Sequence, residues 1–312
     1  MPKYKFIVNP VSLKENHKKF LENLKKKLAE EGVEFSFECS TLENAAESIA
    51  RKSAADGYDV VVACGGDGTI REVVNGIYKS RSVLGILPLG TSNDFANHLG
   101  IKRLKDAAEK LFRGKPKKIS LGMVELKCGN DKKKVLFCST SGIGFDARLL
   151  KLNNMKLFLK LKKIFGGIVY PLFGLFILPS YRSNEVDIKF GGRGVKSKLF
   201  MLNANFVKSM SGMKMTPYAD VGSSSFNIFF AEDASMLKKL AGFAWYSITS
   251  NKIWFKEIHH ISEREINQFN IRNVKRFSVE SKTPIEVQLN GDFMGYTPAK
   301  FSIIPGALKI LI

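Results

Sequence analysis

The segment Cys64-Gly65-Gly66-Asp67-Gly68-Thr69 follows an apolar run, Tyr58 to Ala63, and precedes a helical pattern that starts near Ile70. A strand feeding a glycine turn and then a helix exposes unpaired backbone N–H groups and the positive end of a helix dipole, and both suit a phosphate. Glycine lets the backbone approach such a ligand with no Cβ in the way. A carboxylate in the same turn, Asp67, would repel phosphate unless a cation stood between them, so these residue types point to a magnesium nucleotide. The competing reading is a tight strand-to-helix turn in which Asp67 caps the helix.

A second turn follows, Pro88-Leu89-Gly90-Thr91-Ser92-Asn93-Asp94-Phe95-Ala96. Thr91 offers a hydroxyl and Gly90 a close backbone N–H for phosphate oxygens, while Asn93 and Asp94 suit a metal-bound water or a substrate hydroxyl. Phosphoryl transfer asks mainly for positioning and charge neutralisation. The two turns would cradle phosphates, Asp67 and Asp94 would orient hydrated magnesium, and a further carboxylate would take the acceptor's proton. Asp292, where Gln288-Leu289-Asn290-Gly291-Asp292 runs from a strand into a turn, is the candidate base. Asn-Gly is also a strong hairpin signal, so plain turn chemistry is the alternative there.

Together these motifs resemble those of the bacterial diacylglycerol kinase and lipid kinase family, whose relatives act on sphingoid bases and ceramides. The family pattern runs NPxSG, GGDGT, PxGTxNDxA, GxGxDA and an acidic DGE-like turn. The chain carries Asn9-Pro10-Val11-Ser12-Leu13, the full GGDGT, the second turn above, Gly142-Ile143-Gly144-Phe145-Asp146-Ala147 and Asn290-Gly291-Asp292. Pro305-Gly306-Ala307-Leu308 is similar to the family's closing strand. NAD kinases share GGDGT, but the PxGTxNDxA run favours the lipid kinases. The resemblance implies ATP and Mg2+ as cofactors and transfer to a lipid alcohol, foremost diacylglycerol to give phosphatidic acid. It implies nucleotide contacts at Asn9, Pro10, Ser12, Thr41, Gly65 to Thr69, Glu72, Gly90, Thr91 and Asn93. Asp292 falls where the family usually has the Glu of DGE. A threonine ending a strand, as Thr41 would, is equally a capping hydroxyl.

Several positions depart from the pattern. Leu13 replaces a glycine, Arg71 an asparagine and Asn290 the first acid of DGE, while Ser120 falls where an Asp often orders a magnesium water. Gly222-Ser223-Ser224 replaces an acidic pair, leaving Asp220 as the one nearby carboxylate for a structural magnesium site known in some members. These departures keep alive a catalytically weakened nucleotide- or lipid-binding relative, or a kinase for another lipid alcohol.

The elements that must position these residues alternate regularly at first. Strands at 4–8, 34–38, 58–64 and 83–87 are interleaved with helices at 14–31, 43–55, 69–79 and 104–113, the pattern of a doubly wound parallel sheet whose ligands sit at the strands' carboxyl ends. After Leu121 the runs Val135–Phe137, Val186–Phe190, Leu199–Phe206, Phe226–Phe230, Phe277–Ser281 and Ile285–Leu289 read as strands, with a helical stretch near 234–250. The expected architecture is α/β: a phosphofructokinase-like ATP domain over 1–120 and a mainly antiparallel β-sandwich lipid domain over 121–312. The extreme C-terminus is expected to pack back on the first domain, and the chemistry to lie in the cleft between them.

Composition sets the setting. The chain has 312 residues, 45% hydrophobic and 25% charged, which is ordinary for a folded two-domain protein. Its 49 Lys+Arg against 29 Asp+Glu give +20, which implies an anionic partner surface. Without a nucleic-acid-binding signature, an acidic membrane is the expected partner and nucleic acid is not. Lys151, Lys156, Lys160, Lys162 and Lys163 alternate with Leu and Phe through Phe165, a basic amphipathic arrangement suited to a headgroup layer or to plain helix packing. The apolar stretch Ile164 to Leu178 is broken by glycines and Pro171, so no transmembrane helix is predicted. Four scattered cysteines and an N-terminus without a signal-peptide pattern fit a cytoplasmic protein, peripheral at the inner membrane surface. A homodimer is compatible with the sequence.

Overall fold

A computed structural model describes residues 2–42, 44–128, 131–152, 169–190, 193–210, 214–236, 256–258 and 268–312. The chain forms two compact units, Met1–Leu121 with Pro305–Ile312, and Gly122–Ile304.

The first unit opens with β1 (Lys3–Val8), α1 (Glu15–Glu30), β2 (Glu34–Cys39), α2 (Ala45–Ala55) and β3 (Val60–Gly65). It continues with α3 (Asp67–Ile77), β4 (Val83–Pro88), α4 (Asp94–His98) and α5 (Leu104–Arg113). The strands pair in parallel in the order β2-β1-β3-β4. β3, with the sequence VVVACG, is buried along its whole length, as a β-branched run in the middle of a parallel sheet should be. α1 buries Leu21, Leu24 and Leu28, spaced to share one face, and leaves most of its lysines in solvent. α2 and α3 touch almost backbone to backbone, since a Cβ on Gly76 would lie 2.5 Å from the Glu47 carbonyl oxygen and 2.6 Å from Ala50 Cβ.

Two local features differ from expectation. α3 spans Asp67–Ile77 rather than 69–79: extended Gly66 caps its start, and Tyr78 with ψ 134° followed by Lys79 with φ 66° ends it. α4 was not expected from the sequence. It is a single short turn of helix with no apolar periodicity to reveal it.

The second unit is mainly antiparallel. It contains β5 (Pro116–Cys128, entering from the first unit), β6 (Asp131–Phe137), β7 (Ser141–Gly144), α6 (Phe145–Lys151), α7 (Val169–Ile177), β8 (Asn184–Phe190) and β9 (Arg193–Asn205). β10 (Phe226–Glu232), β11 (Lys256–Ile258), β12 (Gln268–Val274), β13 (Arg276–Ser281), β14 (Glu286–Leu289) and β15 (Asp292–Leu311) complete it. β15 runs on into the first unit, where Ile310 pairs with Leu84 of β4. β7 lies between β9 and β14, and β9 also pairs with β8 and β10. Phe137, Phe206, Phe226, Phe277 and Phe301 form one aromatic core, with Phe277 and Phe301 stacked at 4.3 Å. A second cluster joins Phe145, Phe173, Phe200, Met215 and Phe229.

The chain is therefore a mixed α/β protein with a large antiparallel sheet. Each expected strand after Leu121 has a counterpart, whereas β5, β7, β11, β12 and all but the end of β15 go beyond the expected set. No described helix is long and apolar enough to cross a membrane. Most of the helical stretch expected near 234–250, and the basic segment from Lys156 to Phe165, lie outside the described residues.

Candidate active site

In a parallel sheet of order β2-β1-β3-β4, the chain leaves β1 and β3 toward opposite sides, so a crevice opens beyond their carboxyl ends. Both ends carry motif residues. Asn9 follows β1 and caps a short 3-10 turn, Pro10–Ser12, by accepting the Val11 N–H at 3.0 Å. Its Nδ2 donates across to Thr69 Oγ1 at 3.2 Å, tying the first motif to the second. The first intrahelical bond of α3 runs from Ile70 N to the Gly66 carbonyl, so the amides of Gly68 and Thr69 have no acceptor within the helix.

The two glycine turns abut. A Cβ on Gly90 would lie 2.5 Å from Gly66 Cα and 2.7 Å from Asn93 Oδ1, so the contact requires glycine at 90. Asn93, in the left-handed region at φ 50°, closes the second turn by accepting Gly90 N–H at 3.0 Å and donating to the Gly90 carbonyl at 2.9 Å. Asp67 bridges the motifs: Oδ2 accepts the Asp94 amide and Oδ1 the Phe95 amide, each at 3.0 Å. Asp67 thus caps α4. Asn9, Gly65, Gly66, Asp67, Thr69, Gly90, Asn93 and Asp94 form one connected group.

The remaining first-unit candidates are placed differently. Glu72 Oε2 accepts the Ala46 amide at 3.2 Å, at the start of α2. Thr41 and Thr91 are exposed beyond their strands, and Ser12 and Gly68 are half-buried. Ser120 is buried, and its hydroxyl oxygen accepts the Gly306 amide at 3.3 Å.

In the second unit, Asn290 and Gly291, at φ 50° and 85°, make the two-residue hairpin turn joining β14 to β15. Asp292 opens β15, half-buried and paired with Leu289. Asn290 is buried, and its Oδ1 accepts the amides of Cys138 and Ser139 at 3.3 and 3.2 Å. Its amide thus replaces an acid without leaving the backbone unsatisfied. The exposed Asp220 carboxylate accepts the Gly222 amide at 2.8 Å in its own turn. No group of three or more His, Cys, Asp or Glu side chains able to hold a metal occurs among the described residues.

Asp146 lies within the motif Gly142-Ile143-Gly144-Phe145-Asp146-Ala147, whose residue types alone suggest no role for it. It is buried at the start of α6 and accepts Asn203 Nδ2 at 2.6 Å and Gln288 Nε2 at 3.1 Å. Burial pushes its carboxyl up to about 6, against the two amides, which favour the charged form.

The sequence of residues 3–124 matches the diacylglycerol kinase catalytic domain family. Over 306 residues the chain is 30% identical to a diacylglycerol kinase of Bacillus subtilis (strain 168), covering 96% of this chain and 93% of the relative. The chain belongs to the bacterial diacylglycerol kinase family. It is a diacylglycerol kinase-like lipid kinase. A diacylglycerol kinase of Staphylococcus aureus (strain bovine RF122 / ET3-1) is 27% identical over 307 residues, covering 95% of this kinase and 88% of the relative. The crystal structure of a diacylglycerol kinase from Bacillus anthracis str. Sterne shares the fold, with a TM-score of 0.69 at 19% identity over 99% of this kinase and 96% of that chain.

Proposed function

We propose that this kinase transfers the γ-phosphoryl group of ATP to the hydroxyl of a membrane diacylglycerol, forming phosphatidic acid. The observation that carries the proposal is the junction of Gly66 with Gly90, beside the Asn9–Thr69 bond and the start of α3, whose first intrahelical bond is that of Ile70. Such a backbone surface rich in N–H groups fits a chain of phosphates. MgATP would supply the phosphoryl group and the cation that offsets its charge.

The residues divide the work. The amides of Gly68 and Thr69, with the Thr69 and Thr91 hydroxyls, hold phosphate oxygens, and Gly65 and Gly90 let the backbone come close. Asn9, Pro10, Ser12, Thr41 and Glu72 are assigned to the rest of the nucleotide. Asp67 and Asp94 would orient magnesium waters, with Asp67 also capping α4. Asp292 accepts the proton as the lipid oxygen bonds to the γ-phosphorus and the bond to the ADP oxygen breaks. Asp220 is left out of this set, since no group of three or more His, Cys, Asp or Glu side chains able to hold a metal occurs among the described residues. On this reading residues 1–120 form a doubly wound, phosphofructokinase-like ATP domain and 121–312 a β-sandwich lipid domain. The protein works in the cytoplasm, peripheral at the inner face of an anionic membrane, and a homodimer is compatible with that setting.

The test is turnover of labelled ATP with Mg2+ over a panel of lipid alcohols, for wild type, Asp292→Asn and Asp292→Glu. The expected result is phosphatidic acid from diacylglycerol, a loss of about 10²–10⁴-fold in Asp292→Asn with nucleotide still bound, and retained activity in Asp292→Glu. Equal turnover in wild type and Asp292→Asn overturns the base assignment. ATP binding with no turnover on any lipid supports the weakened, binding-only relative.

A further inference from the structure

Three strands of the second unit line up on one row: Asn203 of β9 pairs with Gly142 of β7, and Gly142 pairs with Gln288 of β14. Side chains on such a row share a face, so the glycine leaves a notch between two amides. The Asp146 carboxylate fills it. A Cβ on Gly142 would lie 1.8 Å from Asp146 Oδ2 and 2.6 Å from Asn203 Nδ2, so only glycine admits the carboxylate. Oδ2 then bridges the row, accepting from Asn203 at 2.6 Å and from Gln288 at 3.1 Å.

The bridge continues toward the chemistry. Gln288, fully buried, turns its other end outward, and its Oε1 accepts the Gly291 amide at 3.1 Å. Gly291 immediately precedes Asp292, and Asn290 pins the other side of the same turn to Cys138 and Ser139. We propose that Asp146 is a positioning residue for Asp292, acting through Gln288 and the Gly291 amide. Asp146 need not touch substrate. This inference rests on the assignment of Asp292 as the base.

A buried carboxylate with two buried amides is a costly way to pack a sheet, and apolar side chains at all three positions would serve stability as well or better. A bridge with fixed hydrogen-bond directions does what an apolar contact cannot: it sets the angle of the Gln288 amide and hence the height of the turn. Base catalysis is sensitive to such placement, because about 1 Å of displacement can cost 10²-fold in rate.

The experiment is a double-mutant cycle on the full chain, with labelled ATP, Mg2+ and diacylglycerol in mixed micelles. The variants are Asp146→Asn, Gln288→Met, Asp292→Asn and the two pairings with Asp292→Asn. Asp146→Asn and Gln288→Met are each expected to lower kcat about 10–100-fold, with nucleotide affinity within about twofold of wild type. Neither should lower kcat further once Asp292 is Asn. The swap Asp146→Asn with Asn203→Asp, which keeps one acid and one amide in the notch, should recover most of the loss. Wild-type kcat in both single variants overturns the proposal, as do losses that multiply with that of Asp292→Asn. If Asp292→Asn alone keeps full turnover, the base assignment itself fails, whereas intact single variants beside a dead Asp292→Asn reject only the positioning role. Should Asp146→Asn not fold, the Gln288→Met cycle decides on the same criteria.

Discussion

Asp146 shows how one residue's burial becomes a property of the whole protein. Its carboxyl is pushed up to about 6 by burial, from an ordinary 3.8. Between those values the folded chain holds a proton that the unfolded chain has lost, so this group's contribution to stability falls as pH rises from 4 to 6 and is flat above. The shift corresponds to about 3 kcal/mol. Its charged neighbours do not mask it: Arg148 and Glu286 pair with each other at 2.8 Å, and burial pushes the Tyr181 phenol above its usual range. Denaturant melts at pH 4.5 and 7 are therefore expected to show a larger stability loss with rising pH in wild type than in Asp146→Asn. An identical pH dependence in the two proteins would show that the carboxyl titrates near its ordinary value. None of this was legible in the sequence. The motif displays an Asp beside glycines, but only the register of β7, β9 and β14 reveals that Gly142 opens a notch for it.

At the scale of elements, the parallel sheet was readable because its strands are continuous apolar runs and its helices carry regular apolar spacing. α4 was not, for its stability comes from elsewhere: Asp67, far back in the chain, satisfies its first two amides. The cap that Asp67 supplies is thus of α4, a helix beyond the one that its own turn precedes in the sequence. The hairpin at Asn290-Gly291 was readable for the opposite reason, since the turn's chemistry is local. Removing the Asp67 carboxylate should act on both levels. Asp67→Ala is expected to lose about 1 kcal/mol of stability, as a lost cap does, and to abolish turnover. Asp67→Asn keeps one acceptor oxygen, so it should recover part of the stability with little of the activity. Thermal melts beside turnover measurements read the two effects separately, and full turnover in a folded Asp67→Ala would remove the magnesium role while leaving the cap.

For the whole molecule, the formal charge of +20 bears on how a lipid kinase would reach its substrate. No described helix is long and apolar enough to cross a membrane. Described lysines stand exposed on separate elements: Lys18, Lys19, Lys26 and Lys27 on α1, Lys117 and Lys118 on β5, and Lys132, Lys133 and Lys134 on β6. A cation near an anionic leaflet contributes about 1 kcal/mol, so several acting together hold a protein reversibly where one does not. Attraction of that kind depends on charge and distance and is screened: the Debye length falls from about 10 Å at 0.1 M salt to about 3 Å at 1 M. Co-sedimentation with vesicles of anionic lipid is therefore expected to fall at least about tenfold as salt is raised from about 0.05 to 0.5 M, with little binding to zwitterionic vesicles at either. Turnover on diacylglycerol in anionic vesicles should fall in parallel, while turnover in neutral detergent micelles changes little, because the chemistry itself does not use the surface charge. Binding to anionic vesicles that is indifferent to salt would assign the membrane contact to apolar insertion. No binding at low salt would mean that the positive charge serves a different anionic partner.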